Sequence, residues 1–300
     1  MVNTRRSFLF GRRTPPTPWG QFCARLSRSC AGQLSWRNDG QAQAMLTPAR
    51  EQDFLHARAL CSEFGVKMAL WVEPIPQSFP DPVLWVEPGR AWARAIPAEP
   101  TQQAWRVDAG CSMGQLQALG FALTQDVDPA WSVAQWLASP LSARWPLACG
   151  SQSGILRAEV LMHDGSRESL GPFGASAVEP LRSITMQLMV PGLFQLLQHP
   201  FVEGLKAGQG KVPGYRLDAM LESPAQEINL ARLLAGHGAS LVWLLAVWLH
   251  RGAGKSMSNT PISAVGWDAA RRHEKAALDE QVKHLFDPHG IFMPVPFSKG

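Results

Sequence analysis

Hydrophobic positions recur with a helical period in several segments of the chain. In "LTPAREQDFLHARALCSEFGV" an apolar stripe follows Thr47 and Pro48 and stops at Gly65. A threonine cap, a proline in the first turn and a closing glycine predict a helix with both ends marked. Three other segments have the same period and predict further helices: 19–33, 112–123 and 267–286.

Two longer segments are predicted to be helical with an internal break. The first covers 179–208 and contains Pro191 followed by Gly192, and the second covers 217–238 and contains Ser223-Pro224. Proline removes a backbone donor and collides with the preceding turn, so we expect each helix to be interrupted at that point.

Other runs are rich in β-branched and aromatic residues and predict strands: 66–72, 83–88, 104–110, 156–171 and 239–249. The run at 156–171 contains His-Asp-Gly-Ser at 163–166 between alternating segments, which predicts a hairpin. Helices and short strands are mixed along the chain without an internal repeat. The pattern therefore predicts an α+β fold.

Composition changes this picture mainly at the N-terminus. Apolar residues make up 46% of the 300 residues, enough for a sizeable core. Residues 1–37 contain seven arginines and no acid, while the net charge is +4, so the rest of the chain carries about −3. A solvated, partly disordered arm, a docking arm for an acidic partner and a contact with a membrane surface all fit this segment. The remaining chain has no basic face with interleaved aromatics, so nucleic-acid binding is not predicted.

The sequence also bears on location. "TRRSFLF" at 4–10 resembles a twin-arginine export motif, but Gly11 ends its apolar run after three residues, fewer than a signal peptide needs. We therefore expect a cytoplasmic protein, either free or held at the inner membrane face by the basic arm.

Several kinds of site are excluded by spacing. The five cysteines have no CxxC pair and the eight histidines no HxH or HExxH pair, so no metal site is predicted. "GAGKS" at 252–256 lacks the first glycine of a P-loop. Gln152 stands where a nucleophile elbow needs serine.

The C-terminal "HLFDPHGIFMP" resembles the tail signature of the FAD-linked oxidases of the vanillyl-alcohol-oxidase type, which carry a PCMH-type FAD-binding domain. Other fragments resemble that family in the same order: "LTPAREQDFLHARALCSEFGV", "WRVDAGCSMGQLQALG", "LRAEVLMHDGS" and "VPGYRLDAMLESPAQEINLARLLAGHGASL". They span roughly 46–296. In size and order the chain is most similar to the small FAD-binding subunit of glycolate oxidase.

The resemblance implies a PCMH-type FAD-binding fold with two α/β subdomains and a short helical C-terminal part. Its parts would be a basic N-terminal arm (1–37), the FAD-binding domain (40–250) and a C-terminal helix and tail (251–300). His237 would be a proton acceptor or charge partner of the isoalloxazine. The residues that would contact FAD are Ser132, Gln135, Gly150, Ser151, Gly154, Tyr215, Gly236, Gly238 and Ser240.

The chain departs from the family where the flavin pyrophosphate would be held. That loop is glycine-rich in the family, because the backbone must approach phosphate closely. Here "WVEPIPQSFPDP" (71–82) has no glycine, and its prolines lack N–H donors. The segment 132–140 also lacks glycine. Two outcomes compete: FAD binding through substituted contacts, or a fold that has lost the cofactor.

The resemblance implies two functions of different classes. One is an FAD-dependent oxidoreductase acting on CH–OH groups, or the FAD-binding subunit of a 2-hydroxy-acid (glycolate-like) oxidase or dehydrogenase complex. Its partners would be the other subunits and a small 2-hydroxy acid. The alternative is a non-catalytic scaffold or assembly subunit that kept the fold and lost FAD.

Overall fold

The computed structural model describes the following residues: 17–36, 41–73, 79–98, 103–124, 126–147, 149–173, 181–207, 214–220, 228–253 and 269–295. This part of the chain combines helices with two main sheets, which confirms the α+β class. Residues 74–78 of the loop at 71–82, which was predicted to lack phosphate donors, lie outside the described residues, as do residues 1–16 and 37 of the predicted arm.

The described residues before Glu87 form a sheet with two helices: α1 (Pro18–Ser29), β1 (Gln33–Trp36), β2 (Gln43–Thr47), α2 (Glu51–Phe64), β3 (Lys67–Leu70) and β4 (Val83–Val86). The strand order is β1-β2-β4-β3. β2 and β3 are both parallel to β4, so the chain must cross over between them, and α2 is that crossover.

The later strands are β5 (Ala95–Pro97), β6 (Ala104–Asp108), β7 (Ile155–Leu161), β8 (Arg167–Leu170), β9 (Pro172–Phe173), β10 (Ile228–Asn229) and β11 (Trp243–His250). Five of them form an antiparallel sheet in the order β5-β6-β11-β7-β8. β11 is central and buried along most of its length, as its apolar sequence requires. The hairpin predicted at 163–166 is confirmed as the β7–β8 turn.

The remaining α-helices are α3 (Met113–Ala118), α4 (Val133–Ala138), α5 (Ile184–Leu197), α6 (Pro200–Ala207) and α7 (Ala269–Phe286). α7 confirms the predicted C-terminal helix from residue 269 onward. No helix in the described ranges is long and apolar enough to cross a membrane.

The start of α2 differs from the prediction. Thr47 is the last residue of β2 and does not cap a helix, and α2 begins four residues later. The carboxylate of Asp53 instead accepts the N–H of Ala49 at 2.9 Å, which fixes the turn before the helix. The predicted end is confirmed, because Gly65 has the left-handed φ of 65° that glycine tolerates.

The prediction of a break at Pro191 was wrong. α5 continues through Pro191 and Gly192, capped by the Ser183 hydroxyl, which accepts the N–H of Met186 at 3.1 Å. The proline is exposed, while the opposite side of the helix is buried. A Cβ on Gly192 would lie 2.7 Å from the Leu285 side chain, so this glycine allows α5 to approach α7. Packing therefore outweighs the local preference for a break.

In the predicted helical segment at 217–238, residues 221–227, with the predicted Ser223-Pro224 break, lie outside the described residues, and the described parts are not α-helical. Leu217–Met220 and Leu230–Leu234 are short 3₁₀ helices, and the strand β10 precedes the second one. The Asn229 side chain accepts the N–H of Ala231 at 3.0 Å and donates to the Leu156 carbonyl at 2.9 Å. This pairing with β7 holds the segment in a non-α conformation.

Part of the predicted basic arm is folded. α1 buries Phe22, Cys23 and Leu26, and it packs on α2. Residues 17–36 therefore belong to the structured body.

Candidate functional site

A cleft of about 390 Å³ lies between the loop at 236–240 and α7. Its lining residues are Gly214, Tyr215, Gly236, His237, Gly238, Ser240, Asp279, Glu280, Lys283 and Pro294. Five residues predicted from the sequence therefore meet here: Tyr215, Gly236, His237, Gly238 and Ser240. We refer to this site as the cleft.

The loop at 236–240 is anchored on the C-terminal end of α4. The N–H of Gly236 donates to the Leu137 carbonyl and that of Gly238 to the Ala138 carbonyl, both at 2.9 Å. Both glycines have a positive φ, and so does Ala239 at 57°. A left-handed alanine costs about 1–2 kcal/mol, so packing holds the loop in this shape against local strain.

A hydrogen-bond chain crosses the wall of the cleft. The Ser240 hydroxyl donates to the His237 carbonyl at 2.6 Å, and the Tyr215 hydroxyl lies 2.7 Å from the Ser240 oxygen. Because a carbonyl only accepts, Ser240 uses its single proton there, and Tyr215 must donate to Ser240. The Tyr215 oxygen therefore keeps only acceptor lone pairs for a ligand. Burial raises the pKa of Tyr215, so the phenol stays neutral.

His237 is 4% exposed, and its Nδ1 has no hydrogen-bond partner among the described residues. Burial, with the nearby Lys283 charge, lowers the pKa of His237 to about 3. The imidazole is therefore neutral near pH 7. A role as a cationic charge partner does not fit this environment, whereas a neutral hydrogen-bonding role does.

Among the described residues that line the cleft, Lys283 alone carries an ammonium group, and its three donors are all engaged. It donates to the Ser240 carbonyl at 2.6 Å, to the Phe292 carbonyl at 2.8 Å and to the Asp287 carboxylate. A lysine ammonium has three N–H donors, so none is left for a ligand. Lys283 thus connects α7 to the loop and to the C-terminal tail by hydrogen bonds.

The tail signature has a local explanation. Asp287, one residue after α7, accepts the N–H of Ile291 at 3.0 Å and that of Phe292 at 2.8 Å. Gly290 has the positive φ that the turn needs. The chain is thereby turned back so that Pro294 forms part of the cleft wall.

Asp279 and Gly214 form the opposite side of the cleft. The Asp279 carboxylate accepts the N–H of Tyr215 at 3.0 Å and pairs with the buried Lys275. Burial raises the pKa of Asp279 despite these contacts. A Cβ on Gly214 would lie 1.9 Å from this carboxylate, so only glycine allows the approach. Neighbouring Glu280 is exposed and has no hydrogen bond or ion pair with any described residue.

Ser132 and Gln135 do not line the cleft. They form a reciprocal capping box at the N-terminal end of α4, and the Gln135 amide also donates to the Trp71 carbonyl at 2.9 Å. Their polar atoms are used inside the protein.

Gly150, Ser151 and Gly154 lie in and after another 3₁₀ helix and also do not line the cleft. A Cβ on Gly150 would meet the Ala219 carbonyl at 2.3 Å, and one on Gly154 would meet the Ala253 side chain at 2.2 Å. These glycines are thus explained by close packing.

The sequence analysis missed the contribution of α7 to the cleft. A recognisable pattern was present, since Lys275, Asp279, Lys283 and Asp287 alternate in charge at intervals of four. That spacing places them on one helix face as two ion pairs. A face of paired charges on a terminal helix could have been identified as one wall of a site.

The residues of the cleft fit a flavin only in part. A neutral His237 and the Tyr215 hydroxyl suit an uncharged, hydrogen-bonding ring. The pyrophosphate needs N–H donors or cations, but the N–H groups of Gly236 and Gly238 and the ammonium of Lys283 are already bonded. The described cleft therefore offers no place for the two phosphates.

Comparison with solved structures gives matches at low similarity. Chitooligosaccharide oxidase aligns at 10% identity and a TM-score of 0.42, over 76% of this chain and 42% of its own. Glucooligosaccharide oxidase from Acremonium strictum, which carries a 6-S-cysteinyl, 8α-N1-histidyl FAD, gives 12% and 0.43, over 77% and 42%. Xylooligosaccharide oxidase from Myceliophthora thermophila C1 gives 15% and 0.43, over 77% and 43%.

The chain thus spans less than half the length of each of these structures. No protein-family model matches the sequence, and no curated protein does either. At these identities and TM-scores, the activities of the three oxidases are not transferred to this chain.

Proposed function

We propose that this protein is an FAD-dependent oxidoreductase, or the FAD-binding subunit of one. The observation that carries the proposal is the cleft, where five residues of the sequence resemblance meet; one of them, the buried and neutral His237, has a nitrogen with no hydrogen-bond partner among the described residues. FAD, when bound, would supply the hydride-accepting ring. The proposal places the ring end of FAD at the mouth of the cleft, which leaves His237 and Tyr215 to a substrate, and it places the phosphates outside the cleft.

Under this proposal the chain's own residues have limited tasks. His237 donates or accepts one hydrogen bond without charge. Tyr215 presents an acceptor oxygen that Ser240 fixes in place. Lys283 holds three segments together so that the cleft keeps its shape. None of these groups is a strong base near pH 7, so orientation is their main contribution.

The experiment that tests this function is visible absorption after loading. Protein would be incubated with FAD and desalted, and the flavin bands would then be recorded. We expect retained FAD in the wild type and in His284→Gln, an exposed control on α7, and loss or a shifted band in His237→Phe. A folded wild type that releases all FAD would exclude the proposal.

A second candidate, the non-catalytic scaffold, is favoured by a specific observation. Ser132 and Gln135 are occupied by their capping box, and the N–H groups of Gly236 and Gly238 by α4. These are the groups that a cofactor would require. Failure to load FAD, together with co-purification of a partner subunit, would support this candidate.

The finer parts of the proposal come from the resemblance alone. They are a 2-hydroxy acid as substrate, the other subunits of an oxidase complex as partners, a cytoplasmic location and a membrane contact through the basic arm. Each needs its own test, and the cleft offers no unpaired cation for a carboxylate.

A further inference from the structure

The cleft has an excess of hydrogen-bond acceptors. Its hydrogen-bond chain leaves the Tyr215 oxygen with lone pairs only. The Glu280 carboxylate has no partner among the described residues. His237 adds a buried Nδ1 that has no hydrogen-bond partner among the described residues. On the other side, the three Lys283 donors and the N–H of Tyr215 are bonded within the protein.

The charges around the cleft also favour a ligand that donates hydrogen bonds. Lys275 pairs with Asp279, and Lys283 pairs with Asp287, so these four charges cancel. Glu280 is then the uncompensated charge on the cleft wall. An anion entering this cleft would meet a carboxylate and no unengaged ammonium, whereas a cation would meet an available acceptor.

We propose that the cleft binds a small ammonium-bearing molecule, with Glu280 as the counter-charge and His237 and Tyr215 as hydrogen-bonding partners. The ligand is therefore an amine. An amino alcohol also carries a hydroxyl group, which can hydrogen-bond to His237 or Tyr215. This inference deepens the proposed function by naming a substrate class for the same cleft. It rests on the cleft and not on FAD, so it can be tested with FAD-free protein.

The chain offers a site-specific probe, because Tyr215 is its single tyrosine. In protein labelled with ¹³C-tyrosine, the aromatic signals come from the cleft alone. The matched probes are 1-amino-2-propanol and lactate, which share a three-carbon skeleton and a central hydroxyl. They differ in that one carries an ammonium group where the other carries a carboxylate.

We expect 1-amino-2-propanol to shift the Tyr215 signals saturably at pH 7, with a Kd on the order of 1–10 mM for so small a ligand. Lactate should give no saturable shift. Glu280→Gln should weaken amine binding about tenfold, because it removes the counter-charge. Glu274→Gln, an exposed acid on the same helix and outside the cleft, should leave the Kd unchanged.

Three results with the two matched probes would overturn the proposal. These are no saturable shift with the amine, equal binding of lactate, or an unchanged Kd in Glu280→Gln. Glycerol would serve as a neutral comparison, and binding as tight as that of the amine would also overturn the proposed charge selectivity. Glu280 is exposed, so its variant is expected to fold. FAD retention is measured separately, so the two proposals can fail independently.

Discussion

Two aspartates, the fully buried Asp53 and the half-buried Asp279, show how differently this fold treats the same side chain. Asp53 is fully buried and accepts the N–H groups of Ala31, Gly32 and Ala49 at 2.9–3.0 Å, together with Arg50 at 3.3 Å. Burial by itself would raise the pKa of Asp53, but these donors outweigh it and the pKa is lowered. We call this group the Asp53 junction.

Asp279 is partly exposed in the cleft and has fewer donors. It accepts one N–H, from Tyr215, and pairs with Lys275. Burial is the larger influence, so the pKa of Asp279 is raised. The comparison separates a structural acid, whose acceptors are saturated by backbone, from an acid that faces a cleft with acceptor capacity left over.

The largest expected effect is at the Asp53 junction. Asp53→Ala removes the acceptor of four hydrogen bonds and should lower the free energy of unfolding by about 4 kcal/mol. Urea denaturation would measure this loss. Asp53→Asn keeps one acceptor oxygen and should lose about half as much. Equal losses in the two variants would contradict the saturation argument.

The next effect concerns the ion pair behind the cleft. Asp279→Asn leaves the buried Lys275 ammonium without its partner and should cost about 3 kcal/mol. The double variant Asp279→Asn with Lys275→Met should recover most of the loss, since the uncompensated charge is gone. Denaturant midpoints of the single and double variants would measure this coupling, and additive losses would refute it.

Lowering the pH should decrease the free energy of unfolding, because His237 is protonated more readily in the unfolded chain than in the folded protein. The folded-state pKa of about 3 lies below the ordinary histidine pKa of 6.5, so the unfolded chain binds the proton first as the pH falls. The stability due to a neutral His237 is full above pH 6.5 and should fall by about 2 kcal/mol at pH 5. His237→Phe should remove this part of the pH dependence in urea melts at pH 7, 6 and 5. The exposed variant His284→Gln should retain it.

The smallest expected effects are those of alanine substitutions at two glycines, Gly32 and Gly238. A Cβ on Gly32, at the Asp53 junction, would lie 2.3 Å from the Thr47 carbonyl, whereas one on Gly238 would have no neighbour within 3.7 Å. Gly32→Ala should therefore cost about 2 kcal/mol through crowding. Gly238→Ala should cost about 1 kcal/mol, from its positive φ alone. Thermal denaturation would rank the two, and the reverse order would contradict the difference in packing.

Sequence reasoning reached part of the candidate site and missed the rest for an identifiable reason. The segment from Tyr215 to Ser240 was singled out by its resemblance to a segment of the FAD-linked oxidases. The contribution of α7 was not predicted, since Asp279 and Glu280 look like ordinary surface residues of a charged helix. Ser132 and Gln135 were candidates by resemblance, but their spacing of three also fits the capping box that they form.

Features that depend on a few neighbouring residues can be predicted from the amino-acid sequence alone. Gly65 ends α2, and the turn at 163–166 joins β7 to β8. Asp287 and Gly290 terminate α7 and turn the tail. Each outcome follows from backbone preferences and short-range hydrogen bonds, which a local pattern encodes.

Other features depend on residues that are distant in the chain, and they are set by tertiary packing. α5 continues through Pro191 because its buried side packs on the rest of the fold. His237 is neutral because burial and Lys283 act on it together, 46 positions apart in the chain. The cleft exists because α4, the loop at 236–240 and α7 meet in space. Desolvation and long-range pairing set these properties, and no local pattern in the chain specifies them.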